Sequence, residues 1–334
     1  MPGPRILFIS LGGTITMTPA AEGGIRPTLQ AEDLLRAAPA LSSIAEISTA
    51  SPFQLPGASL SIADLVQVAR LIESHLADET DGVVLAQGTD TIEETAFVLD
   101  CLIRSPKPVV VTGAMRGPAM PGADGPANLM AAVATAAFPE AAGLGTLVVL
   151  NDEIHAARYV QKSHTALPSA FQSALFGPLG LVAEGRVRLR ARIGKSPLLV
   201  LPPQAEIPAV ALLRTALGDD GRMVGAVARL GYKAAVVEAM GAGHVPASIV
   251  PALAELARLM PVALCSRVHA GPVFNATYSF PGSEVDLLGR GLWPAGSLSG
   301  LKARLLLMLI ISIGAPRKEA ERLFRRHCET LEQR

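Results

Sequence analysis

The stretch Gly82-Val-Val-Leu-Ala-Gln-Gly-Thr-Asp-Thr-Ile-Glu-Glu-Thr95 reads as a single strand–turn–helix unit. Its first five residues form an apolar, β-rich run of strand length, and its last five open a helical period that continues to residue 103. Between them Gln87, Gly88, Thr89 and Asp90 put polar chemistry at the carboxyl end of a strand, where open parallel sheets collect their ligands. The same alternation runs outward in both directions. Upstream, the strand-like 6–10 and 44–49 alternate with helical periods at 31–37 and 60–76. Downstream come strand 109–112, a helix over 127–137 and strand 146–150. Such a series predicts βαβ units around a mostly parallel sheet, making the chain an α/β protein.

Within 60–76, Ile62, Leu65, Val66, Ala69, Ile72 and Leu76 recur at helical spacing, and Ser61 with Asp64 forms a capping-box pair at the start. Pro197, Pro202, Pro203 and Pro208 crowd residues 196–208, which predicts an extended connector between two domains. The expected division is therefore 1–195, a linker over 196–208, and a smaller α/β domain over 209–334. Strands at 209–213, 234–238 and 262–266 and helices near 223–230 and 247–259 fill that second domain. A terminal amphipathic helix over 316–332 presents Ala320, Leu323, Phe324, Cys328 and Leu331 on one face.

At 334 residues, half of them apolar, the chain is long enough for two domains at roughly 150 residues each. Lys plus Arg and Asp plus Glu balance at 29 each, so no net field draws nucleic acid or an anionic membrane. A small-molecule substrate is favoured. The apolar run 305–313 is less than half the length needed to cross a bilayer. The N-terminal run from Ile6 is broken by Gly12 and Gly13 too soon for a signal peptide, which predicts a cytoplasmic chain. Cys101, Cys265 and Cys328 form no CxxC pair and are expected as reduced thiols. No metal or cofactor motif is present: the histidines are dispersed, and neither G-x-G-x-x-G nor a P-loop lysine occurs.

Three strand ends carry chemistry. At Ser10-Leu-Gly-Gly-Thr14, two glycines allow a tight turn with backbone amides beside the Thr14 hydroxyl, an arrangement suited to attack on a carbonyl. At the second, Asp90 or Thr91 can cap the following helix and Glu93 and Glu94 suit its dipole, but no capping role accounts for Thr89. The third, Asn151 to Lys162, supplies Lys162 as a candidate base for a hydroxyl nucleophile; a solvated surface lysine is the bland alternative.

Together these segments resemble the signature regions of the L-asparaginase family: Leu11-Gly-Gly-Thr-Ile15 for its first threonine motif and Gln87-Gly-Thr-Asp-Thr-Ile-Glu-Glu-Thr-Ala96 for its second. The resemblance continues through Lys107 to Arg116, Ala123-Asp-Gly-Pro-Ala-Asn128, Leu150-Asn-Asp-Glu153 with Lys162, and Gly177-Pro-Leu-Gly180. It implies a larger N-terminal catalytic domain and a smaller C-terminal, flavodoxin-like domain. It further implies hydrolysis of the side-chain amide of free asparagine, with Thr14, Thr89, Asp90 and Lys162 as the catalytic set. Gly13, Gly88, Ala114 and Ser59 would line the substrate site. Glu284, in Phe280-Pro-Gly-Ser-Glu284, would meet the substrate's ammonium group from a neighbouring subunit of a homodimer or homotetramer. Other readings are an asparaginase or glutaminase-like amidase of another substrate, such as the subunit of a transfer-RNA-dependent amidotransferase, and a non-catalytic asparagine-binding protein. Three positions depart from the pattern: residues 16–27 lack the family's usual tyrosine, Gln87 replaces a frequent histidine, and His244 stands where some members have asparagine.

Overall fold

A computed structural model describes residues 3–19 and 25–330, which divide into two compact units, 1–198 and 199–334. In the first unit an eight-stranded sheet runs in the order Arg186–Leu189, Gly180–Ala183, Glu153–Ala156, Thr146–Leu150, Val109–Thr112, Gly82–Ala86, Arg5–Ser10, Glu46–Ala50. The last five of these are parallel to one another. The first three add on antiparallel.

The central strands are apolar runs because helices cover both faces. Every residue of Gly82–Ala86, Val109–Thr112 and Thr146–Leu150 is buried. On one face Val68, Ala69, Ile72 and Leu76 of helix Ile62–Ala77 pack with Leu7, Ile9, Val83 and Leu85. That helix begins on the capping box read from the sequence: Ser61 Oγ accepts from Asp64 N, and Asp64 accepts from Ser61 N at 2.8 Å. Helix Gly125–Ala136 lies against Val109–Thr112 and Thr146–Leu150. Helix Ile92–Leu102 is almost wholly buried, and its Asp100 carboxylate accepts from Thr146 N at 2.8 Å and from Ser196 Oγ, fixing helix, strand and the end of this unit together.

The strand Thr146–Leu150 returns through a two-residue loop, Asn151 and Asp152, at φ 52° and 60°. Paired left-handed residues are the requirement of a type I′ hairpin, so this asparagine and aspartate serve the turn. Beyond the turn His155 is buried, its Nδ1 lying 3.0 Å from Ser173 Oγ and its Nε2 3.4 Å from a half-exposed Glu153 carboxylate. Burial pushes the imidazole down to about 4.

Residues 190–209 contain neither helix nor strand. In the second unit four parallel strands run in order Val210–Arg214, Ala234–Ala239, Val262–Ser266, Trp293–Pro294. Helices Arg222–Ala226 and Val250–Leu259 contribute Val224, Leu253 and Leu256 to a core with Ala235, Val237 and Leu264. The apolar helix Gly300–Ser312 packs on the first three strands. The terminal helix Arg317–Glu329 turns Ala320, Phe324 and Cys328 inward, with Phe324 against Trp293. Pro316 precedes its first turn as the cap residue, and Leu331 lies outside the described residues. The helix expected over 223–230 is only five residues long, Arg222–Ala226, and gives way to a turn that runs to Gly231 at φ 83°. All three cysteines are buried thiols. Among the described residues no helix is long and apolar enough to cross a membrane.

Candidate active site

The first and second threonine segments leave neighbouring parallel strands, Arg5–Ser10 and Gly82–Ala86, and their backbones touch. Leu11 N donates to Ala86 O at 2.9 Å, carrying the strand pairing one residue past the sheet. Gly13 then sits at φ 89° so close to Gly88 that a Cβ on it would lie 2.0 Å from Gly88 N and 2.2 Å from Gly88 Cα. No side chain fits there. The segment closes as a short 3-10 turn, Thr14–Thr16, held by Thr16 N and Oγ1 donating to Gly13 O at 2.9 and 2.8 Å. The described residues include the Thr14 backbone but not its side chain.

Thr89 is buried at the start of the turn Thr89–Thr91. Its Oγ1 accepts from Lys162 Nζ at 3.0 Å, and the same ammonium reaches Asp90 Oδ1 at 2.7 Å. The two partners differ in exposure: the Lys162 side chain is 16% exposed and the Asp90 side chain 70%. A pair half in solvent adds little stability, so its consequence is placement of the ammonium against Thr89. Lys162 arrives on a two-residue strand, Gln161–Lys162, paired antiparallel with Phe171–Gln172. Buried Glu93 fixes that strand by accepting from Lys162 N at 3.1 Å. Glu93 thus anchors the hairpin as well as facing the helix dipole, a role that nothing local in the sequence distinguishes.

Neither Asp90 nor Thr91 caps helix Ile92–Leu102 through its side chain. Thr91 Oγ1 donates to Gly57 O at 3.0 Å instead and accepts from Gln87 Nε2 at 3.1 Å. These bonds hold the short turn Gly57–Ser59 against Gly88, leaving Ser59 exposed beside the second motif. Gln87 is fully buried, so it is a structural strut under Gly88 and Thr91. Ala114 is buried next to Gly113, whose own missing Cβ would lie 3.4 Å from Thr89 Cγ2. Asn128 holds this third turn: its Nδ2 donates to Gly113 O at 2.9 Å and its Oδ1 accepts from Asn151 N at 2.9 Å. Gly13, Gly88, Thr89, Asp90, Ala114 and Lys162 therefore gather at the carboxyl ends of adjacent strands in the first unit.

Glu284 lies in the second unit at the start of helix Glu284–Gly289, which is capped by Ser283. Its side chain has no exposed surface. Oε1 accepts from Thr277 N and Tyr278 N at 2.8 and 2.7 Å. Oε2 lies 3.3 Å from His244 Nε2, and neither atom has a hydrogen-bond partner. Burial raises the carboxyl, but the Tyr278 and Thr277 amides and nearby His244 outweigh it and hold Glu284 below the usual carboxylate range. The ring of His244 is in turn met edge-on by Tyr278 and Phe280, at centroid distances of 4.8 and 5.1 Å.

The family model for the N-terminal domain of asparaginases matches residues 5–194, and that for the glutaminase/asparaginase C-terminal domain matches residues 209–324. A probable L-asparaginase of Deinococcus radiodurans is 36% identical, covering 96% of this chain and 97% of its own. An L-asparaginase of Bacillus licheniformis is 32% identical over 92% of this chain and 95% of its own. The crystal structure of a probable cytoplasmic L-asparaginase from Campylobacter jejuni superposes with a TM-score of 0.86 at 32% identity, covering 96% of this chain and 99% of the other. Two matched domains spanning almost the whole chain, over a fold of the same shape, show that this chain belongs to the asparaginase family.

Proposed function

We propose that the chain is an amidohydrolase that converts L-asparagine to L-aspartate and ammonia, with Thr14 as the nucleophile. The observation that carries this reading is the Lys162–Thr89–Asp90 cluster in the first unit. Lys162 occupies a lone pair of Thr89 Oγ1, which leaves the Thr89 hydroxyl proton to point at another acceptor. A threonine polarised in this way can orient a water or relay a proton, and Asp90 holds the lysine in place. As Thr14 attacks the amide carbon of the substrate it gives up its hydroxyl proton, which is relayed through the Thr89 side to the departing nitrogen; ammonia leaves, and an acyl ester remains on Thr14. Water then releases aspartate by the reverse path. Backbone amides around Gly88, Thr89 and Ala114 receive the developing oxyanion charge.

The substrate's two charged ends require opposite partners. Asp90 and Glu284 are assigned to the ammonium group and the Ser59 hydroxyl to the carboxylate. Glu284 is assigned to a site shared with a neighbouring copy, which calls for a homodimer or homotetramer. A cytoplasmic location is supported by three buried cysteines that form no disulfide.

Ammonia release from millimolar L-asparagine by the purified chain, compared with Thr14→Ala and Thr89→Val, tests the reading. No ammonia from the wild type would overturn it. Full turnover by Thr14→Ala would show that the nucleophile lies elsewhere. A fully active isolated monomer would refute the shared site.

A further inference from the structure

Two buried polar atoms of the second unit face each other without partners, and one of them belongs to the carboxylate assigned above to the substrate. Glu284 Oε1 is saturated by the Thr277 and Tyr278 amides. Its one free oxygen, Oε2, is shut from solvent and directed at His244 Nε2, 3.3 Å away. The His244 side chain keeps 23% of its surface exposed, so the ring beside Oε2 is in contact with solvent. It is held at that place by its own backbone, which exchanges 2.8 Å hydrogen bonds with Met240, and by the edges of Tyr278 and Phe280.

We propose that His244 sets the affinity of Glu284 for a substrate's ammonium group: neutral, it yields Oε2 to the substrate, and protonated, it takes that oxygen itself. The inference rests on the assignment of Glu284 to the ammonium group. An imidazolium at this distance forms an ion pair with Oε2 and offsets the carboxylate's charge, and a second cation must compete with it. A neutral ring presents no competing charge. Around His244 the turn 240–246, the segment 274–283 and helix Glu284–Gly289 place two titratable side chains in ring or charge contact, Glu284 and Tyr278. Asp286, on the same helix, is engaged by Gly282 N and Arg290 Nε at 2.9 Å each. Tyrosine does not titrate near neutrality. Glu284 lies below the ordinary carboxylate range, so it stays charged between pH 5 and 7.

The test is the KM and kcat for L-asparagine at pH 5, 6 and 7 for the wild type, His244→Gln, His244→Asn and Glu284→Gln. The ammonium and carboxylate of the substrate stay charged across this range. The wild-type KM should rise on the order of tenfold from pH 7 to pH 5, with kcat changing far less. Both His244 variants, which cannot gain a proton, should hold KM within about twofold over the same range. A flat wild-type KM, or a pH-dependent rise retained in both His244 variants, would overturn the proposal. If Glu284→Gln raises KM while the His244 variants keep the wild-type profile, only the role of His244 falls. If Glu284→Gln leaves KM unchanged, the assignment of Glu284 falls and the role of His244 with it.

Discussion

Replacing Gly13 by alanine tests whether the contact between the two threonine segments is what brings the chemistry together. The added Cβ would lie 2.0 Å from Gly88 N, 2.2 Å from Gly88 Cα and 2.7 Å from Gln87 C, all of them backbone atoms that cannot rotate aside. To reach an ordinary contact of 3.4 Å the two segments must part by about 1.4 Å. A misplacement of about 1 Å at reacting groups costs roughly 100-fold in rate, near 2.7 kcal/mol, so kcat/KM for ammonia release should fall by at least that factor. Alanine at φ 89° adds roughly 1–2 kcal/mol of backbone strain that has nothing to do with the clash. Gly143→Ala isolates that second effect, because Gly143 has φ 79° and nothing within 4 Å of its missing Cβ. Melting temperature and asparagine turnover measured on both variants separate the two. Gly143→Ala should lose a few degrees of melting temperature and keep its activity, whereas Gly13→Ala should lose both. If Gly13→Ala retained half the wild-type turnover, the two segments would not need their contact, and the geometry described for the site would not govern the reaction.

Lys162→Met removes the ammonium that reaches Thr89 and Asp90, and kcat should fall by about 10²- to 10⁴-fold. Its melting temperature should move little, since the Asp90 half of the ion pair lies in solvent; comparable losses in both would mean the lysine is structural. Glu93→Ala frees the Lys162 backbone and should lower kcat more than it raises KM, while Glu93→Gln, which keeps an acceptor, should recover much of the loss. Equal defects in the two variants would refute the anchoring role. His155 predicts an acid limb in stability. Its imidazole is held down to about 4 in the fold and returns to about 6.5 when unfolded, so the unfolded chain binds the extra proton between those values. Stability is therefore lost as pH falls from 6.5 to 4, by about 3 kcal/mol at most. Urea unfolding at pH 7 and pH 4.5 should show a smaller difference in His155→Gln than in the wild type, and an unchanged difference would assign the acid limb elsewhere.

What was legible in the sequence follows from what is local. The strands Gly82–Ala86, Val109–Thr112 and Thr146–Leu150 are continuous apolar runs because both faces are covered, and a run of that kind announces itself without tertiary knowledge. The Ser61–Asp64 box is a three-residue event and was equally readable. Thr89, Asp90 and Lys162 could be picked out by type and position after strands. The strand carrying Lys162 could not, since two residues contain no period. Asn151 and Asp152 were not legible as a hairpin turn, because asparagine and aspartate tolerate the left-handed region but the pair lacks the glycine that marks a type I′ turn.

The anchoring role of Glu93 and the surroundings of Glu284 were hidden for a deeper reason. An acid in a first helical turn already has a sufficient local explanation in the helix dipole, so the sequence offers no remainder that would point to Lys162 N, 69 residues away. Glu284 resembles a family position and is saturated by the nearby Thr277 and Tyr278, but its approach to His244 depends on how a turn 40 residues earlier folds back. Chemistry-bearing residue types are thus readable where a strand end limits what else they can be doing. The partners that set their charge and orientation come from elements brought near only by the completed sheet. The partners of Asn128 and Glu93 in the first unit, and of His244 in the second, fall on the unreadable side of that line, and the variants at Glu93 and His244 probe whether turnover and its pH dependence depend on them.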